Sequence, residues 1–384
     1  MPKADFFKYP KTGHNEIIVS VKILIGLTYY LPNRSGVTQY ANILAEELDR
    51  RSHKIRILCA KTKSPPDPLF DKRGVKIIRV SGFKLGKGFI MPMYWLKSIE
   101  HVRWAQAVNC HLPSIESFWL ALWAKIFGKK LIVSYHCMFD SNNFVVNKII
   151  EICHFVPLML ADKIVVTSLD YIGGYKLLNS FAKKIIEIYP PVKIIKTVEK
   201  MKLEGEIRIG YLGRISREKN IEILIEAITK LPKNYYLYLA GPVNIVGEEK
   251  YIKKIFKLIE RNNRIRILGQ IDNPVKFYNS VDCLVLPSNN RLESFGMVSA
   301  EAIECGCPVV VSNIPGVRVP VLATGGGEIF EVNNIADLVA KIKLVVKNKN
   351  KYINSRKNME LFDYKKTVDQ YERFFLKTKT LGWS

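Results

Sequence analysis

The sequence lacks the cysteine spacing that holds small secreted domains or zinc sites together. Its seven cysteines are an odd number, form no Cys-x-x-Cys pair and lie mostly within apolar runs. Neither a disulfide framework nor a structural zinc site is indicated, and a reducing cytosol fits this pattern best.

Long uninterrupted apolar segments are also absent. The longest apolar stretch, residues 149–166, contains Glu151, His154, Asp162 and Lys163, which are too many polar groups for a membrane-spanning helix. Charged side chains are spread through the first twenty residues, which have no apolar core of the kind that a secretory signal needs. We therefore expect a cytoplasmic protein.

Acidic residues are few relative to basic ones. The 384 residues include 35 Asp and Glu against 59 Lys and Arg, which gives a formal net charge of +24. A balance this basic predicts an anionic partner, and nucleic acid, acidic lipid and a phosphorylated small molecule are the candidates. The length predicts two domains, each large enough to bury its own core.

Short β-branched apolar runs alternate with amphipathic segments along most of the chain, which predicts βαβ units around a parallel sheet. Two sets of strands are predicted, at residues 22–28, 55–59, 75–80, 131–135 and 163–167, and then at 207–213, 237–240, 265–268, 283–286 and 308–312. Pro190-Pro191 and a Lys- and Glu-rich segment interrupt the pattern between the sets. The predicted fold class is α/β, with two Rossmann-like, doubly wound parallel-sheet domains at residues 1–191 and 206–355 and a basic C-terminal helix at 356–384. A ligand is expected in the crevice at the carboxyl ends of the strands.

Gly213, Arg214 and Lys219 lie on a predicted strand-to-helix loop. The amphipathic helix begins near Asn220, which we expect to cap it. The two cations are five residues apart and can reach one anionic group, and a diphosphate would suit the pair. Solvated loop charges are the alternative interpretation.

A second polar segment, Glu293-Ser-Phe-Gly296 with Glu301, follows the predicted strand 283–286. Ser294, Phe295 and Gly296 are expected to form a helix N-terminus, whose free N–H groups and positive dipole end can hold phosphate or sugar oxygens. The two carboxylates can accept hydrogen bonds from hydroxyls at opposite ends of an extended polar ligand. A helix-capping role for Glu293 and a surface position for Glu301 are the alternatives.

Residues 210–311 resemble the donor-binding half of glycosyltransferase family 4, whose two-domain architecture is called GT-B. The resemblance rests on six motifs in the family's order, namely Gly213-Arg214 with Lys219, Ala240-Gly241-Pro242, Leu268-Gly269, Asp282 before Pro287-Ser288, Glu293-Ser-Phe-Gly296 with Glu301, and Gly306-Cys-Pro308. The first 190 residues are similar to the family more loosely. There, Ser35-Gly36 stands where the family has a glycine pair.

The resemblance implies a role for each matched residue. Arg214 and Lys219 would neutralise the nucleotide diphosphate and Glu301 would bind the ribose hydroxyls. Glu293, with the backbone of Phe295 and Gly296, would hold the donor sugar. The implied donor site also includes Gly36, Gly213, Gly241, Pro242, Ile271, Ser294 and Met297. The resemblance further implies that the C-terminal helix packs back on the first domain.

His136, in Val133-Ser-Tyr-His136, matches the family's strand-terminal His, which lies beside the reacting sugar. A lone His at a strand end is more often structural, but a place at a carboxyl end in the predicted cleft favours the functional interpretation. His111, in Asn109-Cys-His-Leu-Pro113 after another predicted strand, is a weaker candidate.

These residues and the resemblance together predict a retaining glycosyltransferase, which moves a sugar from a nucleotide-diphosphate donor to a hydroxyl acceptor. Fixed cations and amide dipoles aimed at the leaving diphosphate would lower the barrier. No Asp-x-Asp motif that could hold a metal ion on the diphosphate occurs, so we expect no metal and no cofactor.

Two other functions are also compatible with the sequence. A non-enzymatic protein that binds nucleic acid or another polyanion is compatible with the net charge, although no helix-turn-helix, zinc or aromatic RNA-binding pattern supports it. A nucleotide-sugar epimerase would share the GT-B architecture, and against it the Phe-Gly and Glu pattern favours transfer.

Two segments of the first domain, residues 83–97 and 118–130, mix lysines with aromatic and large apolar side chains. Both suit an anionic membrane interface. We therefore expect peripheral binding to the inner face of the membrane and an acceptor that is a lipid-linked or cell-surface glycan precursor. For the second segment, a helix packed on the sheet is an equal alternative.

Overall fold

The computed structural model describes residues 20–376, except residues 34, 63–73, 86–87, 140–143, 174, 196, 246 and 355. Within these ranges the chain forms two α/β units, one on a sheet of seven strands and one on a sheet of six. The sites discussed below lie where the two units meet.

The first unit alternates strands and helices. Its strands are β1 (Lys22–Gly26), β2 (Lys54–Ala60), β3 (Lys76–Val80), β4 (Phe83–Leu85), β5 (Gly88–Ile90), β6 (Ala107–Leu112), β7 (Lys130–Tyr135), β8 (Lys163–Val166) and β9 (Ile185–Glu187). Its helices are α1 (Gly36–Arg50), α2 (Tyr94–Trp104), α3 (Ser117–Ile126), α4 (Phe144–Leu160), α5 (Leu169–Ile172) and α6 (Lys176–Asn179). Strands β4 and β5 form a separate antiparallel hairpin.

The second unit repeats the alternation. Its strands are β10 (Ile207–Leu212), β11 (Tyr235–Ala240), β12 (Ile265–Gly269), β13 (Cys283–Leu286), β14 (Val309–Ser312) and β15 (Gly327–Phe330). Its helices are α7 (Ile221–Lys230), α8 (Glu249–Ile259), α9 (Pro274–Tyr278), α10 (Met297–Glu304), α11 (Val319–Thr324), α12 (Ile335–Lys347) and α13 (Lys349–Asn354). Helix α14 (Tyr364–Leu376) follows them and returns to the first unit.

Each main sheet is parallel and reverses its strand order once. The orders are β3-β2-β1-β6-β7-β8-β9 and β12-β11-β10-β13-β14-β15. The reversals lie between β1 and β6 and between β10 and β13, and open parallel sheets bind ligands at the carboxyl ends of the strands beside such a reversal. The predicted fold class, two doubly wound parallel-sheet α/β units, is confirmed.

Three strands of the two main sheets are absent from the predicted sets. Strand β6 lies beside β1 at the centre of its sheet with all six residues buried, but Asn109 and His111 interrupt its apolar run. Strands β9 and β15 are short strands at the sheet edges. His111 therefore lies inside a strand and not after one, which corrects the sequence-based placement.

An aromatic cluster lies where the chain crosses between the two units. Tyr189, after β9, packs against Phe295 and Phe362 with ring centroids 5.8 and 5.3 Å away. The two segments that cross between the units, around residues 189–192 and 362, are also joined directly: the Val192 N–H donates to the Phe362 carbonyl at 2.9 Å.

The last helix, α14, packs against α1 of the first unit. Glu372 accepts a hydrogen bond from Arg51 at 2.5 Å and its carboxylate lies 2.8 Å from His53 Nε2. The hydroxyl of Tyr371 accepts from that of Tyr40 at 2.9 Å. These contacts hold α14 on the first unit.

Loops at the carboxyl ends of the two sheets meet directly. Asp170, in α5, accepts from the Gly316 N–H at 2.7 Å and from the Arg318 guanidinium at 3.0 and 2.7 Å. Gly316 has a φ of +87°, and a Cβ there would lie 2.1 Å from the Ser294 carbonyl oxygen. Only glycine allows this approach, which sets the loops after β13 and β14 against each other and leaves the Gly316 N–H facing Asp170 of the first unit.

Candidate active site

Three glycines end the neighbouring strands β10, β11 and β12. The Gly213 N–H donates to the Ala240 carbonyl at 2.9 Å and the Gly241 N–H donates to the Gly269 carbonyl at 2.7 Å. Gly241 has a φ of +135°, and a Cβ there would lie 1.9 Å from the Gly213 carbonyl oxygen. A larger residue at position 241 would therefore displace the loop that carries Arg214.

Arg214 and Lys219 lie on the loop between β10 and α7, and each is paired with a carboxylate. The Arg214 side chain is 56% exposed and donates to Glu218 at 3.1 Å. Lys219 is largely buried and its ammonium binds the carboxylate of Glu293, which comes from the loop after β13. This ion pair joins the two loops that flank the strand reversal of the second sheet.

Asn220 does not cap α7 through its side chain, contrary to the prediction. Its backbone is left-handed, with a φ of +52°, and its amide donates to Asn333 at 3.0 Å. The Tyr251 hydroxyl accepts instead from the Ile221 N–H, at 2.9 Å. A tyrosine that is distant in sequence therefore replaces the expected local cap.

Helix α10 begins at Met297, later than the Ser294–Gly296 start that the sequence predicts. Gly296 occupies the N-cap position with a φ of +71°, which delays the helical backbone to the next residue. The Glu293 carboxylate accepts from the Gly296 N–H at 3.1 Å. Glu293 thus holds the turn before α10 in place while it also binds Lys219.

The Phe295 side chain is buried in the aromatic cluster between the units. It is 2% exposed and lies 5.8 Å from Tyr189 and 5.6 Å from Phe362, between ring centroids. Only the backbone of Phe295 is thus left for a ligand, and the ring anchors the start of α10 to the crossing segments.

Glu301, in the second turn of α10, is partly buried rather than on the open surface. Its carboxylate accepts from the Tyr278 hydroxyl at 2.7 Å. Burial raises the pKa of Glu301, and the Tyr278 hydrogen bond opposes that rise. Ile271, after β12, packs against the cluster that includes Tyr278, and Pro242 is partly exposed beside Gly241.

Gly36, at the start of α1 in the first unit, lies close to α10 of the second unit. A Cβ on Gly36 would lie 3.8 Å from the Met297 sulfur. Ser35, which stands in place of a glycine, caps α1 because its hydroxyl accepts from the Thr38 N–H at 3.2 Å. Ser35 therefore stabilises the start of α1 where the family has a glycine, and Gly36 still lies close to α10 of the second unit.

His136, directly after β7, and His111, near the end of β6, are in contact. His136 Nε2 lies 2.8 Å from His111 Nδ1, and the stacked rings have centroids 4.9 Å apart. Burial lowers the pKa of His136 to about 3, and burial, together with repulsion between the two rings if both were protonated, lowers the pKa of His111 well below its ordinary value. Both rings are neutral at physiological pH.

Sequence reasoning missed the polar residues around this pair. Asn109 contacts His111 and Ser134, and Ser134 contacts the hydroxyl of Tyr371 in α14. The alternation Asn109-x-His111 and Ser134-x-His136 was the available signal, since residues two apart share one face of a strand. Tyr371 offered no such signal.

The site residues of the two units lie close enough for their charges to interact. Burial raises the pKa of Cys137, which follows His136, to about 12; Glu293 adds to the rise, while Arg214 and Lys219 oppose it.

Across the described part of the chain, no three His, Cys, Asp or Glu side chains are grouped so that they could hold a metal ion. None of the helices described above combines the length and the hydrophobicity that a membrane-spanning helix needs.

Two doubly wound units that face each other at their strand reversals define the GT-B class of protein. HepE of Anabaena, solved with UDP and glucose, has this fold, with a TM-score of 0.74, 17% identity, and coverage of 93% of this chain and 100% of that one. Sucrose-phosphate synthase of Thermosynechococcus elongatus also has a TM-score of 0.74, with 18% identity and coverage of 92% and 98%.

The chain belongs to glycosyltransferase family 4. The family profile described as "Glycosyltransferase Family 4" matches residues 34–191, and the profile "Glycosyl transferases group 1" matches residues 194–362. The protein is therefore a glycosyltransferase by family, as the sequence motifs predict.

Curated relatives share only part of this chain. An uncharacterized glycosyltransferase of Methanocaldococcus jannaschii is 33% identical over 150 residues, which are 38% of this chain and 40% of the relative. The capsular polysaccharide biosynthesis glycosyltransferase CapM of Staphylococcus aureus is 27% identical over 145 residues, 38% of each protein. The matches thus span about two fifths of the length of these relatives.

Proposed function

We propose that this protein transfers a sugar from a nucleoside-diphosphate donor to a hydroxyl acceptor, with retention of configuration at the anomeric carbon. The position of α10 carries the proposal. Its N-terminus meets the loop of Lys219 through Glu293 and meets the first unit through Gly36. A helix N-terminus and two cations beside a strand reversal suit a diphosphate.

The leaving diphosphate gains negative charge as its bond to the anomeric carbon breaks. Arg214, Lys219 and the N-terminus of α10 would stabilise that charge. Lys219 is bound to Glu293 in the structure, so a diphosphate that took over the ammonium would release the carboxylate to accept a hydrogen bond from a sugar hydroxyl. The acceptor hydroxyl would give its proton to the leaving phosphate oxygen, which balances the transfer without a protein nucleophile.

Glu301 is suited to the ribose end of the donor. Its carboxylate accepts a hydrogen bond from Tyr278 and keeps acceptor capacity for vicinal hydroxyls. Ile271 and Pro242 would meet the nucleoside beside it. The alternative, that Glu301 is a solvated surface charge, fits poorly with its partial burial.

The relatives support the chemical class of both substrates. HepE was crystallised with UDP and glucose and also with UDP-glucose, which supports a nucleoside-diphosphate sugar as donor. The name of CapM, from capsular polysaccharide biosynthesis, supports a glycan precursor as acceptor.

A donor screen by thermal unfolding tests the donor class first. A ligand at a hundred times its dissociation constant raises the free energy of unfolding by about 2.7 kcal/mol. We expect one of UDP, GDP or ADP, and the corresponding sugar nucleotide, to raise the unfolding temperature. If none of them does so at millimolar concentration, the donor assignment is wrong.

Product analysis then tests the reaction. We expect the nucleoside diphosphate to accumulate only when an acceptor is added, an α-linked donor to give an α-linked product by proton NMR, and turnover to persist in EDTA. An epimerase would instead convert the donor without an acceptor. A β-linkage, or activity that EDTA removes and manganese restores, would contradict the mechanism.

We propose further that the acceptor is presented at an anionic membrane surface. Helices α2, α3 and α4 pack side by side and expose large apolar side chains, namely Trp95, Leu96, Trp119, Ile126, Val145, Val146, Ile149, Ile152, Phe155 and Met159. Exposed Lys97, Lys125 and Lys148 lie on the same helices. Apolar side chains interspersed with lysines suit anionic lipid, and α4 extends this surface beyond the two segments that the sequence indicated.

A further inference from the structure

The pair of buried histidines belongs to a longer hydrogen-bonded chain across β6 and β7. The Asn109 amide nitrogen donates to the Ile132 carbonyl at 3.2 Å and to the Ser134 hydroxyl at 2.9 Å. Asn109 Oδ1 lies 2.8 Å from His111 Nε2, and His111 Nδ1 lies 2.8 Å from His136 Nε2. All of these side chains are buried.

The Ile132 carbonyl determines which way the Asn109 amide faces. A backbone carbonyl only accepts hydrogen bonds, so the nitrogen of the amide must face it. The reversed amide would place two oxygens against each other and would lose the hydrogen bond from Asn109 to the Ile132 carbonyl. Oδ1 of Asn109 therefore faces His111.

The amide in turn determines the proton positions on both rings. His111 Nε2 must carry the hydrogen, because Asn109 Oδ1 can only accept. Since burial keeps His111 neutral, its Nδ1 has a lone pair and accepts from His136. Nε2 of His136 thus donates, and Nδ1 of His136 has the lone pair.

We propose that Asn109 and His111 are positioning residues that hold His136 as its Nε2–H tautomer, so that Nδ1 presents a lone pair to a hydroxyl of the bound sugar. Nδ1 of His136 makes no hydrogen bond with any of the described residues. In this role His136 accepts a hydrogen bond from the substrate and gives it no proton. The sugar contact rests on the proposed function, whereas the tautomer does not.

Tyr40 and Tyr371 keep this chain away from water. The Tyr40 ring lies edge-on to His136, with centroids 4.8 Å apart, and its hydroxyl donates to Tyr371 at 2.9 Å. The Tyr371 hydroxyl is 2.6 Å from Ser134 Oγ. At a site without water, the repulsion between the Asn109 and Ile132 oxygens in the reverse arrangement is weakly screened, and this favours the proton arrangement given above.

Nitrogen-15 NMR of the full chain tests the tautomer without any substrate. Long-range correlations in ¹⁵N-histidine-labelled protein distinguish the two neutral forms, and loss of a signal in His136→Gln assigns the ring. We expect both His136 and His111 to carry hydrogen on Nε2 at neutral pH. Hydrogen on Nδ1 of His136 in the unsubstituted protein would overturn the proposal by itself.

Substitution of Asn109 tests its control of the tautomer. In Asn109→Leu the acceptor for His111 is lost, and we expect a substantial share of His136 to shift to the Nδ1–H form. Ser134→Ala is the matched control, because it removes a hydrogen bond to the same amide but keeps the contacts to Ile132 and His111. An unchanged His136 spectrum in Asn109→Leu, or an equal shift in Ser134→Ala, would contradict the proposal.

Kinetics with the donor found in the screen test the consequence. If the hydrogen bond to the sugar is fully made only in the transition state, its loss predicts a roughly three- to tenfold fall in kcat for Asn109→Leu, with the KM for the donor nearly unchanged. A rise in donor KM with unchanged kcat would contradict the role of Asn109. If no sugar transfer is found at all, the proposed function fails while the spectra still decide the tautomer, and if Asn109→Leu does not fold, the spectrum of the unsubstituted protein decides it.

Discussion

Single residues at the strand reversal of the second sheet carry the first prediction. Arg214→Ala and Lys219→Ala should each reduce transition-state stabilisation by about 2–4 kcal/mol, because each removes a cation that opposes charge growing on the diphosphate. Steady-state kcat/KM measures this loss. Lys230→Ala, which removes a half-exposed cation paired with Glu226 on α7, is the control, and wild-type turnover in Arg214→Ala would show that the site is assigned wrongly.

His136 carries a second prediction at this scale. His136→Ala should slow transfer more than it weakens binding of the nucleoside diphosphate, because the ring belongs to the sugar side in the first unit and the phosphate-binding cations to the second. Calorimetry with the nucleoside diphosphate and single-turnover rates separate the two effects. Equal losses in binding and in rate would show that His136 does not act on the sugar side of the donor.

At the scale of elements, α5 joins the two units through Asp170. Burial tends to raise the pKa of Asp170, but hydrogen bonds from Arg318 and Gly316 outweigh it and lower the pKa. A carboxylate whose folded pKa is depressed stabilises the fold above its unfolded pKa of about 3.9, and that stability is lost as pH falls through the folded value. We therefore expect the contact between the units to weaken only under acid conditions.

The substitution Asp170→Asn tests how much this contact contributes to the free energy of unfolding. It should reduce the free energy of unfolding at neutral pH by about 1–3 kcal/mol, because the Arg318 guanidinium loses a charged acceptor, and it should flatten the pH dependence in the acid range below about pH 5. Thermal unfolding across that pH range checks both. Glu226→Gln, in a pair within one helix, is the control, and an equally flattened profile there would refute the assignment to Asp170.

At the scale of the whole molecule, the basic charge and the apolar face of α2, α3 and α4 predict association with anionic vesicles. Binding should require anionic lipid and weaken as salt rises, because each basic residue near the surface contributes only about 1 kcal/mol. Vesicle sedimentation measures it. Equal binding to neutral and anionic vesicles, or no binding at low salt, would make a soluble acceptor the better hypothesis.

A double substitution, Ile149→Ser with Ile152→Ser, should weaken vesicle binding because these side chains are 54% and 65% exposed on α4. Leu322→Ser provides the matched control, since Leu322 is 64% exposed but lies on α11 of the second unit. If both proteins lose binding equally, α4 is not the contact surface.

The sequence by itself determined the fold class, the family and most of the strands. Apolar runs of strand length alternate with helical periodicity, and this local pattern is enough to predict βαβ units. The same reasoning did not predict β6, because Asn109 and His111 interrupt the apolar run that is expected of a central strand. Asn220 and the start of α10 were misplaced because left-handed backbone at residues 220 and 296 overrides the local capping signals.

Only the tertiary structure decided how the candidate site is assembled. The Lys219–Glu293 pair, the contact of Gly36 with Met297 and the chain from Asn109 to His136 join residues from different strands or different units. The apolar face of α4 likewise becomes visible only once its other side is buried against α3. Such contacts depend on which strand ends lie side by side in the folded sheets. The order of side chains along the chain does not give the spatial distance between residues that are far apart in sequence.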